Sequence, residues 1–278
     1  MDRHDDPRST DELITVALGA ADEDDESEAS KQGWDAISSL HFRASRDVLE
    51  AARKLCMSDD VNHRRVGADI LGQLGVPDRS FPTECLDILL GLLDDEDLKV
   101  LYSACIALGH LHRPEAIEPL IKLKNHPDSR LRYAVTFGLL AHEDKRAIQA
   151  LIELSQDEDD EVRDWATFGL GSQIDTDTPE IREALVKRLG DSYIDTLGEA
   201  AVGLARRKDE RVLTLLLQEL AHDDMENLIL DATREFADPR LYKPLLDLRR
   251  RWIAMGQIKD AEGLESVIAA CAPQDITE

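Results

Sequence analysis

The sequence predicts an all-α protein, a right-handed α-solenoid of about seven to eight stacked helical pairs in one continuous domain. Three observations lead there. Apolar runs about a dozen residues long are punctuated by Gly and Pro, and no β-branched stretch alternates with period two. One helical pattern recurs with successive spacings of 37, 31, 31, 34 and 32 residues. Each copy follows an acidic turn and precedes another apolar helix. A period in the thirties with two helices per unit indicates a stacked helical array.

Taken in order, residues 1–30 form an acidic N-terminal segment carrying the first helix, with eleven acidic residues against two basic ones. Its run "DEDDESE" (22–28) reads either as a solvated loop or as part of a binding surface. The array proper spans 31–252 and opens with a weaker copy, "QGWDAISSLHFRA" from 32. The copies proper are "HRRVGADILGQLG" from 63, "VLYSACIALGHLH" from 100, "LRYAVTFGLLAHE" from 131, "VRDWATFGLGSQI" from 162, "TLGEAAVGLARRK" from 196 and "LILDATREFADPR" from 228. Between them lie turns such as "DDED", "HPDS" and "DEDD", and helices such as "AIEPLIKLK" and "RVLTLLLQEL". Residues 253–278 leave the repeat, and "AMGQIKDAEGLESVIAACAPQ" reads as a loop and a helix that caps the open end of the core.

Within one copy, counting Val162 as zero, offsets 0, 4, 7, 8 and 11 fall on one apolar stripe, which turns Val162, Ala166, Gly169 and Leu170 to the core. Small residues at offset 4, Ala104, Ala166, Ala200 and Ala232, let neighbouring helices approach closely. The aspartate before each helix caps it and suits its positive end. Arg64, Arg132 and Arg163, all at offset 1, are placed to form a ladder of ion pairs with acidic turns of adjacent repeats.

"VRDWATFGLG", its turn "DEDDE" and "ARRKDERVLTLLLQEL" resemble the HEAT-repeat family, in the small bacterial branch with phycobilisome-lyase-like repeats. The order of segments from "DELITVAL" through "RRVGADILGQLG" to "ARRKDERVL" is similar to HEAT-repeat proteins encoded beside Rhs-type polymorphic toxins and regarded as their immunity proteins. The resemblance runs from about Asp11 to Trp252. It implies a protein-binding solenoid whose concave side grips a cognate toxin domain.

Offsets 2 and 6 lie opposite the core stripe, on helices that in a HEAT solenoid line the concave side. Tyr102, Tyr133, Phe137, Asp164 and Phe168 occupy them, with Trp165 on the flank and Glu199 and Asp231 extending the acidic side. Five of the twelve aromatic residues thus fall on one face of three consecutive repeats, a composition suited to a binding hot spot. Phe137 and Phe168 have a second reading, as rings tucked against the next repeat.

The formal net charge is −25, which disfavours nucleic acid as a direct ligand and favours a basic protein partner reached by electrostatic steering. A nuclease toxin domain, whose own substrate is a polyanion, fits that description. The free protein is expected to be a monomer. The chain lacks G-x-S-x-G, P-loop and G-x-G-x-x-G motifs, so no enzyme activity, cofactor or catalytic residue is expected. The deoxyhypusine hydroxylases, a HEAT family, hold two irons through several His-Glu dyads; here only His142-Glu143 occurs, and no metal is expected. His110, His112 and His142 read better as residues of repeat junctions than as a metal cluster. Cys56, Cys85, Cys105 and Cys271 form no C-x-x-C pair and are read as reduced core residues. No run approaches the roughly 18 apolar residues of a membrane helix, and "MDRHDDPRST" lacks the regions of a signal peptide, so the expected location is the cytoplasm. The alternative function is a general interaction scaffold or a phycobilin-lyase-like assembly chaperone.

Overall fold

The structure, a computed structural model, describes residues 6–19 and 27–273. Among them every regular element is helical, and their contacts group into two compact units, Met1–Ala147 and Ile148–Glu278. The first contains α1 (Thr10–Ala17), α2 (Glu28–Arg43), α3 (Arg46–Cys56), α4 (Val61–Gly72), α5 (Pro82–Gly91), α6 (Leu98–Leu111), α7 (Ile117–Leu123) and α8 (Ser129–Leu139). Helix α9 (Lys145–Leu154) carries the division between the units. The second contains α10 (Asp160–Ser172), α11 (Pro179–Arg188), α12 (Ile194–Arg206), α13 (Leu213–Glu219), α14 (Asn227–Phe236), α15 (Tyr242–Ala254), α16 (Ile258–Gly263) and α17 (Glu265–Ala270).

The recurring sequence copies are the even-numbered helices from α2 to α14. In the first unit α2, α4, α6 and α8 pack successively into a row, and α3, α5 and α7 pack against their partners α4, α6 and α8. In the second unit α10, α12 and α14 form the equivalent row, backed by α11 and α13. This is the solenoid pattern of helical pairs that the period predicts. The offset-4 alanines, Ala104, Ala166, Ala200 and Ala232, are fully buried, as are Val162 and Leu170. The helices cross so closely that a methyl group on Gly203 would lie 2.6 Å from Gly171 Cα, and one on Gly72 would lie 2.7 Å from Ala107 Cα.

The acidic turns act as caps at four of the helices. Asp60, Asp97, Asp128 and Asp159 accept hydrogen bonds from backbone N–H groups in the first turns of α4, α6, α8 and α10. The expectation that an aspartate caps every copy fails at α12 and α14, whose N-caps are Tyr193 and Glu226 with no side-chain cap bond. At α12 the aspartate lies two residues earlier, at Asp191, where it accepts from Tyr193 N at 3.0 Å just as Asp95 accepts from Asp97 N at 2.9 Å.

That earlier aspartate is the ladder's anion. Arg64 makes a two-pronged ion pair with Asp95 at 2.7 and 3.0 Å, and Arg163 does the same with Asp191 at 2.9 and 2.9 Å, each joining one repeat to the next. The same guanidinium closes the turn before its own helix: Arg64 Nη1 donates to the carbonyls of Ser58 and Asp59, Arg132 Nη1 to those of His126 and Pro127, and Arg163 Nη1 to those of Asp157 and Glu158. A second series crosses the outer helices through Arg46–Glu84, Arg146–Glu118, Arg211–Glu183 and Arg240–Glu210.

The first and last described segments are tied into their own units. A capping box joins Ser9 and Glu12 at α1, and Arg43 of α2 donates to the carbonyls of Asp6 and Arg8 at 3.0 and 2.6 Å. Most of the acidic run at 22–28, residues 22–26, lies outside the described residues. At the other end α17 packs on α14 and α15, burying Leu264, Val267, Ile268 and Cys271. All four cysteines are buried and unbridged. Among the described residues no helix is long and apolar enough to cross a membrane.

Candidate functional site

The helices that carry the offset-2 and offset-6 positions pack within their own unit: α6 lies between α4 and α8 and is backed by α5, and α12 lies between α10 and α14 and is backed by α11. In each unit the side chains left over on these helices form a candidate face. All eight predicted residues, Tyr102, Tyr133, Phe137, Asp164, Trp165, Phe168, Glu199 and Asp231, are half-buried, neither core nor fully exposed.

In the first unit Tyr102 stands on α6, and Tyr133 and Phe137 stand one turn apart on α8. Phe137 leans on the preceding repeat. Its ring meets His110 edge to face with centroids 5.2 Å apart and covers Gly109, where a methyl group would lie 2.8 Å from the ring. This glycine lets the aromatic lie flat on α6. Exposed His112 stacks on buried His142 at 4.1 Å, and His142 Nε2 has no hydrogen-bond partner. Burial, with the neighbouring His112, pushes His142 down to about 4, so it is neutral at physiological pH. Among the described residues no group of three His, Cys, Asp or Glu side chains is arranged to hold a metal ion.

In the second unit Trp165 and Phe168 pack edge to face on α10, centroids 5.8 Å apart. Beside them the carboxylates of three helices act on one another. Asp164 is raised to about 6, chiefly by burial and next by the negative charge of Asp195. Glu199 is raised to about 7, again by burial first, with Asp164, Asp195 and Asp231 adding repulsion. Their direct partners are hydroxyls: Thr196 Oγ1 donates to Asp164 Oδ1 at 3.5 Å, a long bond, and Ser172 Oγ donates to Glu199 Oε2 at 3.2 Å. Asp231 alone has a cation, Arg234 at 2.5 Å.

The contrast with the ladder is chemical. The side chains of Asp95, Asp191 and Asp209 are also largely shielded from solvent, and the arginine beside each holds its carboxyl below the ordinary value. Asp164 and Glu199 are carboxyls that the protein encloses without supplying an ion pair. Sequence reading missed Asp195, one turn before Glu199 on α12. The available signal was the Asp195–Glu199 spacing of four, which places two acids on one side of a helix. It was lost because the repeat alignment begins at Thr196.

Comparison with known proteins places this geometry in context. Residues 86–171 and 148–237 match the family described as HEAT repeats. YibA from Escherichia coli strain K12 is 38% identical over 71 residues, 26% of this chain and 25% of its own, so the match spans about a quarter of that relative. The X-ray structure of E. coli YibA superposes with a TM-score of 0.72 at 24% identity, covering 95% of this chain and 92% of that one. Kap95p, from a structure described as showing Kap95p binding to RanGDP, superposes with a TM-score of 0.61 at 15% identity over 94% of this chain and 39% of its own. At these identities the two structures speak to the fold.

Proposed function

The chain belongs to the HEAT-repeat family, and from that premise we propose that it is an immunity protein, which neutralises a cognate polymorphic toxin by binding it and blocking its active site or substrate entry. In coarser terms it is a protein-interaction solenoid. The contact residues are Tyr102, Tyr133 and Phe137 in the first unit and Asp164, Trp165, Phe168, Glu199 and Asp231 in the second. The observation that carries the reading is the pair of enclosed carboxylates, Asp164 and Glu199, left without an ion-pair partner beside the Trp165–Phe168 pair. Natural proteins tolerate uncompensated charge where function requires it.

A basic toxin domain supplies what that face lacks. Its lysines and arginines meet the carboxylates, and its apolar contacts meet the aromatics, so that a desolvated centre is ringed by charge. The remaining negative charge of the chain speeds encounter and makes it salt-sensitive. For a toxin that cleaves a polyanion, the acidic face takes the place of the substrate.

Co-expression with the protein encoded next to it tests the reading. A stoichiometric complex and rescue of cells from that protein are the expected results. An inert neighbour with no complex returns the chain to the general scaffold or assembly-chaperone reading, which predicts several partners of modest affinity.

A further inference from the structure

We infer that the first unit carries an oxyanion site at Arg79, whose unpaired guanidinium nitrogen, with the His110 imidazole near it, takes a singly charged carboxylate. The inference does not depend on the basic partner proposed above and concerns a spot of the opposite charge.

Arg79 stands in the loop between α4 and α5, and the fold pins that loop. Gly75 N donates to the His41 carbonyl at 2.7 Å, Arg79 N to the Gly75 carbonyl at 2.6 Å and Ser80 N to the Leu74 carbonyl at 2.8 Å. Gly75 and Arg79 both have positive φ, 79° and 60°, a region that an arginine seldom adopts. From this fixed backbone the guanidinium reaches α6. Its Nη2 donates at 3.1 Å to the carbonyl of His110, one of the last carbonyls of α6, which have no partner inside the helix. Its Nη1 is enclosed by protein and has no hydrogen-bond partner.

No acid balances this cation. Among the described residues Arg79 forms no ion pair, and burial is the one influence that moves its ionisation. Arg64 and Arg163, by contrast, are each clasped by an aspartate. The titratable groups that act with Arg79 are imidazoles, His41 from α2 and His110 from α6. His41 is committed, with its Nε2 at 3.0 Å from the Asp69 carbonyl. His110 is half-buried against Phe137, and its ring nitrogens make no hydrogen bond among the described residues. Burial, and after it the charge of Arg79, lowers His110, so the ring is neutral near pH 7 and has one N–H to offer. In a chain with 58 acidic residues, an enclosed guanidinium left without an acid is a cost that a ligand removes by supplying the acceptor.

The donors select the ligand. Arg79 Nη1 and one imidazole N–H match the two oxygens of a carboxylate, and Phe137 gives the site an apolar border. A phosphate brings further negative charge, which the net charge of −25 opposes.

The probe is sodium acetate, titrated into the full chain at pH 7 against sodium chloride of equal ionic strength, with nitrogen-15 NMR of the Arg79 side chain and the His110 ring. Acetate should shift both signals and saturate in roughly the millimolar range. Arg146, already paired with Asp144 and Glu118, should stay unmoved. Arg79→Gln, checked for folding by circular dichroism, should abolish the His110 shift, and Arg79→Lys should weaken it several-fold. Acetyl-alanine, whose carboxylate is that of a peptide end, identifies the source: binding tenfold tighter than acetate assigns the site to peptide carboxylates, equal binding to free ones. No saturable shift in wild type overturns the inference, as do equal shifts with chloride or with acetyl-alanine amide, or a His110 shift that survives in folded Arg79→Gln. The wild-type titrations decide even where that variant unfolds, and a negative result leaves the toxin-binding reading standing.

Discussion

Asp164 and Asp191 occupy the same neighbourhood and have opposite electrostatic circumstances. Asp191 is clasped by Arg163 and held below its ordinary value; Asp164 has only a long bond from a threonine hydroxyl and is raised to about 6. A carboxyl raised in the folded state favours folding while protonated. Its contribution is complete below its unfolded value, ordinarily 3.8 for Asp164 and 4.5 for Glu199, and is lost as pH climbs through the folded values of about 6 and about 7. Asp164→Asn and Glu199→Gln should therefore each stabilise the free protein by about 1–3 kcal/mol at pH 8 and hardly at all at pH 4. Thermal melts across that range check the sign; variants equally or less stable than wild type at pH 8 refute it. His41 and His142 work in the other direction. Burial pushes both down to about 4 from an ordinary 6.5, so stability present above pH 6.5 is lost as pH falls toward 4. His142→Gln should flatten that acid limb, and an unchanged slope between pH 7 and pH 5 would assign the limb to other groups.

At the level of elements, Arg64 and Arg163 each bind their own turn and the next repeat's aspartate. Arg163→Met leaves Asp191 enclosed with only Arg188 nearby and frees the carbonyls of Asp157 and Glu158, so it should cost about 3–5 kcal/mol. Arg240→Ala breaks pairs with Glu210 and Asp238 in which the arginine is half exposed and screened by water, and should cost far less. Chemical denaturation of the two variants separates the ladder from decoration; equal losses contradict the distinction. Gly203→Ala should cost about 1–3 kcal/mol because its methyl group would meet Gly171 Cα across the α10–α12 crossing. The helices, their core stripe and the ladder arginines were legible because a repeated pattern states them several times. The ladder's anion was legible only as an acidic turn, since sequence does not say which of two aspartates caps and which bridges. The glycine contacts and the enclosure of Asp164 and Glu199 depend on distances between helices, which spacing along one helix does not encode.

For the whole molecule, the excess negative charge and the uncompensated carboxylates act at different ranges. A charge of −25 governs how fast a cationic partner arrives and is screened by salt. In the proposed complex the half-buried aromatic and acidic side chains would govern how long it stays. Raising salt should therefore slow association while leaving dissociation nearly unchanged, whereas substitutions at Trp165 or Tyr133 should speed dissociation. Stopped-flow measurements resolve the two effects. The most direct test of the central claim is calorimetric titration of the protein encoded next to this chain into wild type and into the Tyr133→Ala, Trp165→Ala variant, with folding checked by circular dichroism. The predicted result is a one-to-one complex of roughly nanomolar affinity or tighter, weakened by several kcal/mol in the variant. A complex of equal affinity in both proteins, or no complex with either, contradicts the claim that these residues bind that partner.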